Sequence, residues 1–219
     1  MAEPDYRRAV AAFIREQLPA TPASLLEIGC GHGELARELS AAGYEVVAID
    51  PEAPEGPIFR RVTLEEFDGS GPFDAAVASL SLHHIDDLPA AVDKIAALLA
   101  PGALLVLNEW DRGRFRGPTA RWYFHQRQAL ATLGREQAEI EPTFEEWWPE
   151  WEARRDDVHP YAAMRPELDR RFSERLFERV PYLYGYRLGG DVEPLERALI
   201  ASGEIEAVGF RYVGERLGH

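Results

Sequence analysis

Residues 25–50 begin Leu25-Leu26-Glu27-Ile28-Gly29-Cys30-Gly31-His32-Gly33-Glu34, continue through a helical stretch, and end Tyr44-Glu45-Val46-Val47-Ala48-Ile49-Asp50. This is a strand, a glycine turn, a helix and a second strand that closes on a carboxylate, the order of a nucleotide-binding βαβ unit. Gly29, Gly31 and Gly33 let the backbone turn sharply and approach a ligand with no Cβ in the way. Asp50 stands at the end of the second strand, where a carboxylate can accept from both hydroxyls of a ribose.

The glycine spacing separates one nucleotide from another. A dinucleotide fingerprint is Gly-x-Gly-x-x-Gly, with a pyrophosphate on the helix N-terminus. Counting from Gly29, the third glycine falls one place early, at Gly33, and Glu34 stands where it belongs. Glu27 would repel a pyrophosphate, whereas it can accept a bond from a cationic amino-acid head group. The stretch resembles motif I of the class I S-adenosylmethionine-dependent methyltransferases, Glu/Asp-x-Gly-x-Gly-x-Gly, with Asp50 as that family's ribose-binding acid. Phe73-Asp74 opening a fourth strand, Leu82-His83-His84-Ile85 after it, and Leu99-x-Pro101-Gly102 before a fifth also resemble the small-molecule branch of that family. Many relatives place an Asp after the third strand to hold the adenine amine; this chain has Thr63.

The resemblance implies S-adenosylmethionine as cofactor and methyl transfer to a small-molecule acceptor. The alternative is a member of the same fold with a non-methylating or regulatory role. It also implies an α/β, Rossmann-like, seven-stranded and mostly parallel sheet with helices on both faces, in the order 3-2-1-4-5-7-6. Residues 1–110 then form the cofactor-binding core, 111–175 a helical lid inserted after strand 5, and 176–219 the closing strands and helix.

Charge and cysteine content narrow the setting. With 38 Asp and Glu against 24 Lys and Arg, the net charge is -14, which argues against a nucleic-acid partner because phosphate binding needs clustered cations. Cys30 is the single cysteine, so there is no disulfide framework and a reducing, cytoplasmic location is expected. The start of the chain lacks the apolar core of a signal peptide. The longest apolar run, Ile95 to Leu107, is interrupted by Pro101 and Gly102 and is too short for a bilayer, so no membrane partner is expected.

Along the chain, Tyr6, Val10, Phe13 and Ile14 follow helical spacing up to Pro19. Strands are expected at Leu25 to Ile28, Tyr44 to Ile49, Ile58 to Val62, Phe73 to Ser79 and Ala103 to Leu107. A helix is expected from Leu88 to Leu99, with Asp86 or Asp87 as N-cap and Pro89 in its first turn. From Trp110 to about Arg175 the βα rhythm stops, and all five tryptophans lie between Trp110 and Trp151. A strand around Val180 to Tyr186, a helix from about Val192 to Ala201 and a last strand near Ala207 to Val213 complete the pattern.

Ligands of an open α/β sheet lie outside the carboxyl ends of its strands. On the methyltransferase resemblance, Glu27, Gly29, Cys30 and Gly31 line the methionine end, Asp50 and Pro51 the ribose and adenine, and Thr63 and Leu64 the adenine edge. Ser79 and Leu80 face the sulfonium. His83 and His84 follow the fourth strand, where one imidazole can deprotonate an acceptor; packing or capping the next helix is the other role open to them. His125 is a further candidate base. Glu109 can orient a substrate polar group or stand as a solvated acid. The aromatics of Arg121-Trp122-Tyr123-Phe124-His125 and Phe144 to Trp151 can form the insertion's own core, a substrate wall, or both. The histidines and the single cysteine form no metal-binding pattern.

Overall fold

The computed structural model describes residues 4–69, 71–135, 141–155 and 157–218. Residues 1–3, part of the chain start read above, and residues 136–140 and 156 of the insertion lie outside them. The first helix, α1 (Pro4–Gln17), buries Tyr6, Val10, Phe13 and Ile14, the stripe that its spacing predicts. Then follow β1 (Ser24–Ile28), α2 (Glu34–Ala41), β2 (Glu45–Ile49), the short β3 (Phe59–Arg60) and β4 (Phe73–Ser79). Helix α3 (Leu88–Leu98) starts where Asp87 accepts the Ala90 backbone N–H at 3.0 Å and Pro89 sits in the first turn. β5 (Leu99–Trp110) comes next, then α4 (Gly117–Thr132), α5 (Phe144–Ala153), α6 (Tyr161–Arg171), β6 (Phe172–Val180), α7 (Glu193–Ser202) and β7 (Gly209–Arg216).

The strands form one seven-stranded sheet in the order β3-β2-β1-β4-β5-β7-β6. β1 to β5 pair in parallel, and β7 runs antiparallel to both β5 and β6. Leu26, Ile28, Ala76, Leu105 and Leu107 bury one face together with residues of α3 and α6. Their strand neighbours Leu25, Ala48, Val77 and Val106 point to the other face, packed with residues of α1, α2 and α4. Strands buried on both faces explain the near-continuous apolar sequence of β4 and β5. Among the described residues no helix is long and apolar enough to cross a membrane.

Three local expectations are corrected. β3 pairs only over Phe59–Arg60, because Thr63 and Glu66 turn the chain with reciprocal side chain to backbone bonds. The strand expected around 180–186 is instead β6, ending at Val180, followed by a helical turn over Tyr184–Leu188. The backbone N–H groups of Tyr182, Leu183 and Tyr184 donate to the buried Glu196 carboxylate at 2.8–3.0 Å and so have no need of a sheet partner. The third correction concerns the segment after β5. It holds α4, α5 and α6, but Met164 and Leu168 of α6 are fully buried in the main core, and β6 already starts at Phe172.

Candidate functional site

The turn after β1 is built by close approach. Gly29 has φ +75°, and a Cβ there would lie 2.2 Å from the Ser81 Cβ, so no other residue fits against the loop after β4. At Gly31, φ is +52° and an added Cβ would meet nothing within 4 Å, so its bare backbone faces open cavity. Its N–H donates to Asp50 Oδ2 at 2.9 Å, while Asp50 Oδ1 accepts from the Glu52 N–H at 2.7 Å. Each oxygen of Asp50 keeps a lone pair for a further donor.

Two cavities adjoin this turn. One, of about 760 Å³, is lined by Gly29, Gly31, Asp50, Pro51, Thr63 and Leu64, with Leu80, Ser81 and His84 on its far side. The other, of about 460 Å³, is lined by Glu27, Gly29, Cys30, Ser79 and Leu80, and by Tyr6 from α1. The ten residues expected to bind cofactor thus gather around two spaces that share Gly29 and Leu80. Both volumes fall in the range of about 300–1,000 Å³ usual for small-ligand sites.

Glu27 is the unpartnered polar member of this set. Its side chain is buried and Oε2 has no hydrogen-bond partner among the described residues. Burial, then the nearby Glu34 and Asp50 carboxylates, push its pKa up to about 8. A buried acid without a donor is the feature expected of a site for an ammonium group. Burial also pushes the Cys30 thiol up to about 12, which keeps it protonated and unreactive.

A third cavity, of about 380 Å³, also touches Leu80 and is lined by His83, His84, Trp110, Val158, Tyr182 and Tyr186 among others. Leu80 belongs to all three spaces and holds φ +56°, a left-handed backbone that a leucine adopts at a cost of order 1–3 kcal/mol. Behind the cavity, the fully buried Glu109 binds the loop after β4 at three points. Oε1 accepts the N–H groups of Ser81 at 2.9 Å and Leu82 at 2.7 Å, and Oε2 pairs with His83 Nδ1. His84 lies against His83, ring centroids 4.1 Å apart, and lines both this cavity and the one at Asp50. Burial and then the neighbouring His83 hold its pKa below the usual 6.5.

His125 is not brought to the site. It lies on the exposed side of α4, beside Gln128, and lines none of these cavities, because Tyr123, Phe124 and Arg127 take the buried positions of that helix. Of the insertion's aromatics, Phe124, Phe144 and Trp147 pack on one another, and the aromatic rings that wall the third cavity come from elsewhere, Trp110 at the end of β5 and Tyr182 and Tyr186 after β6. Glu109, expected either to orient a substrate polar group or to stand as a solvated acid, is a buried anchor of the loop after β4. The roles of Tyr6 as a cavity residue and of Arg155 carry no local sequence signal, since a charged residue at a helix end ordinarily marks a solvated face.

A family model described as "Methyltransferase domain" matches residues 2–180. The "Ubiquinone biosynthesis O-methyltransferase" of a Bradyrhizobium species is 33% identical over 101 residues, covering 40% of this chain and 40% of that protein. The chain therefore spans about two fifths of this curated relative. N-methyltransferase NodS from Bradyrhizobium japonicum superposes with a TM-score of 0.58 at 13% identity, over 98% of both chains. The 1,6-didemethyltoxoflavin-N1-methyltransferase of Burkholderia thailandensis, solved with S-adenosylhomocysteine, gives 0.56 at 17% identity over 96% of this chain and 78% of that one. At such identities the superpositions speak to fold, and the family model reaches most of the chain. The chain belongs to the methyltransferase-domain family and has the seven-stranded class I fold.

Proposed function

We propose that the protein methylates a hydroxyl of a small, flat acceptor held in the cavity between Trp110 and Tyr186. The observation that carries this reading is His83 on that cavity's wall, bonded to the buried Glu109 and three residues along the chain from Leu80, which also lines the cofactor spaces. The O-methyltransferase named among the relatives supports the same reading.

The residues fit S-adenosylmethionine. Glu27 would take the α-ammonium, the Gly29 to Gly31 backbone the amino-acid moiety, Asp50 the ribose hydroxyls, and Pro51, Thr63 and Leu64 the adenine. When bound, the cofactor supplies a methyl on a cationic sulfur, a carbon that needs mainly an aligned nucleophile. The Glu109 carboxylate accepts two backbone N–H groups through Oε1 and faces His83 Nδ1 through Oε2, an arrangement that suits a proton on Nδ1 and leaves Nε2 as an acceptor. Nε2 takes the acceptor's O–H proton as that oxygen bonds to carbon, and Glu109 stabilises the resulting imidazolium. His84, held neutral, packs between acceptor and cofactor spaces. Helix α5 and the residues after it act as a lid over the acceptor. The acidic composition favours a small molecule over a nucleic acid, and the single cysteine favours the cytoplasm.

The test is turnover. Purified protein with S-adenosylmethionine and a panel of phenols and catechols should yield S-adenosylhomocysteine together with an O-methyl product. His83→Gln should lower the rate by about a hundredfold or more, the scale of a lost general base, and His84→Gln by much less. Equal, mild losses in both would mean catalysis by alignment alone. A product methylated at nitrogen or carbon only would overturn the hydroxyl assignment.

A further inference from the structure

A fourth cavity, of about 150 Å³, lies under α5 and shares Arg154, Arg155 and Tyr186 with the acceptor cavity. Four arginines line it, Arg127, Arg154, Arg155 and Arg187, in a chain where acids outnumber bases by 38 to 24. Glu141 and Glu150 face the same space and Asp157 faces the acceptor cavity, so carboxylates do not outnumber the cations here as they do elsewhere. Arg154 is committed to Glu150 at 2.7 Å.

Arg155 is placed differently. Its guanidinium stacks 4.3 Å over the Trp151 ring, and its N–H groups donate to Tyr186 Oη at 2.9 Å and to the Trp151 carbonyl at 3.3 Å. No carboxylate among the described residues forms an ion pair with it or with Arg187. A half-buried guanidinium fixed by a ring and two neutral acceptors keeps its charge and several donors available, the geometry used to bind carboxylate or phosphate. Tyr186, which takes the first of these bonds, is stacked with Tyr182 at 14°, and Tyr182 with Trp110 at 18°. Three rings with near-parallel planes run from the His83 end of the acceptor cavity to Arg155.

Resting on the acceptor cavity proposed above, we infer that the acceptor is an arene bearing an oxyanion, a carboxylate or a phosphate, with the anion held by Arg155 and, at longer range, by Arg187. The ring lies along Trp110, Tyr182 and Tyr186, and the hydroxyl to be methylated points towards His83. A neutral arene of the same size leaves the cationic end of the groove without a partner.

Calorimetric titration of the protein, with and without S-adenosylhomocysteine, reads this directly. The probes are 3,4-dihydroxybenzoate, its neutral analogue 3,4-dihydroxybenzamide, and phenyl phosphate. The benzoate should bind about tenfold or more tightly than the benzamide, the scale of a hydrogen-bonded charge pair. Phenyl phosphate against benzoate tells which anion is preferred. Arg155→Met should erase the benzoate preference while leaving S-adenosylhomocysteine affinity unchanged. Because Arg155 also packs on Trp151, the exposed Arg187→Gln is the second variant, and it should reduce the preference in part. Equal affinity for benzoate and benzamide, no binding of either anion at millimolar concentration, or a preference that survives both variants overturns the inference. Failure of S-adenosylhomocysteine to bind, with the anion preference intact, would fall on the cofactor reading instead.

Discussion

His83 Nδ1 is bonded to Glu109 Oε2, and the other oxygen of that carboxylate accepts the backbone N–H groups of Ser81 and Leu82. One side chain from the end of β5 therefore fixes both the ring of the candidate base and the loop that carries it. Glu109→Gln keeps an oxygen for the two N–H groups but replaces the anion that faces His83. It should lower kcat by about 10²-fold with little change in cofactor affinity. Glu109→Ala removes three bonds from a buried loop and should also cost about 3 kcal/mol of stability, read as a lower midpoint in urea. If Glu109→Gln turns over at the parent rate, His83 is a packing residue.

Asp50 carries two kinds of contact, to the backbone of Gly31 and Glu52 and, on the reading above, to a ribose. Asp50→Ala should weaken S-adenosylhomocysteine binding by about 1.5–3 kcal/mol, while a partly exposed residue at a strand end leaves the core intact. Calorimetry together with a thermal melt checks both halves. Parent-like affinity in Asp50→Ala would place the ribose elsewhere.

These two predictions rest on parts of the molecule that differ in legibility. The turn from Gly29 to Gly33 and the carboxylate of Asp50 were readable because a βαβ unit is specified locally, by glycines, periodicity and a strand end within 26 residues. β6 was misplaced because it is an edge strand whose Ser173, Glu174 and Arg175 are all exposed, which erases the apolar signal. Pro181 to Tyr186 is rich in tyrosine and therefore looks like a strand. Its shape is set by Glu196, at least ten residues away on α7, and nothing local announces that bond. The same holds for Glu109 and Arg155, whose roles come from partners the sequence does not place beside them.

Glu196 accepts three backbone N–H groups and is fully buried. Glu196→Gln puts an amide NH2 in front of those donors and should destabilise the protein by about 2–3 kcal/mol. Tyr182 is held in place by the same bonds, so KM for the acceptor should rise more than KM for S-adenosylmethionine. An unchanged ratio of the two KM values would show that the Tyr182 loop keeps its shape without Glu196.

Burial and neighbouring acids raise Glu27 from an ordinary 4.5 to about 8 in the ligand-free protein. An acid whose folded pKa is raised contributes stability that is fully present below about pH 4.5 and is lost as pH climbs through 8. An ammonium beside Glu27 favours the ionised form, so cofactor binding near pH 7 should expel about one proton, and affinity should rise with pH until 8. Calorimetry in two buffers of different ionisation enthalpy measures that proton. Glu27→Gln should abolish the buffer dependence, weaken binding, and make the free protein more stable than the parent above pH 8. Proton uptake instead of release would remove Glu27 from the ammonium site.

The segment after β5 divides into a part built into the core and a part resting on the site. Met164 and Leu168 of α6 are fully buried with α3, so α6 amides should exchange as slowly as those of β1 in the free protein and ignore ligands. Helix α5 instead packs through Trp147 and Trp151 on other aromatics of the insertion, and its C-terminal end and the residues after it wall the acceptor cavity. A helix with few ties to the sheet opens at low cost, and gating segments are drawn from that class. Exchange in α5 should therefore be fast in the free protein and should slow when S-adenosylhomocysteine and an arene acid are bound together. Fluorescence should change with it, because Trp110 lines the cavity and Trp151 carries Arg155. If α5 exchanges as slowly as β1 without ligand and does not respond to either, it is a fixed wall. Acceptor entry would then have to pass between the lining groups Asp157 and Tyr186.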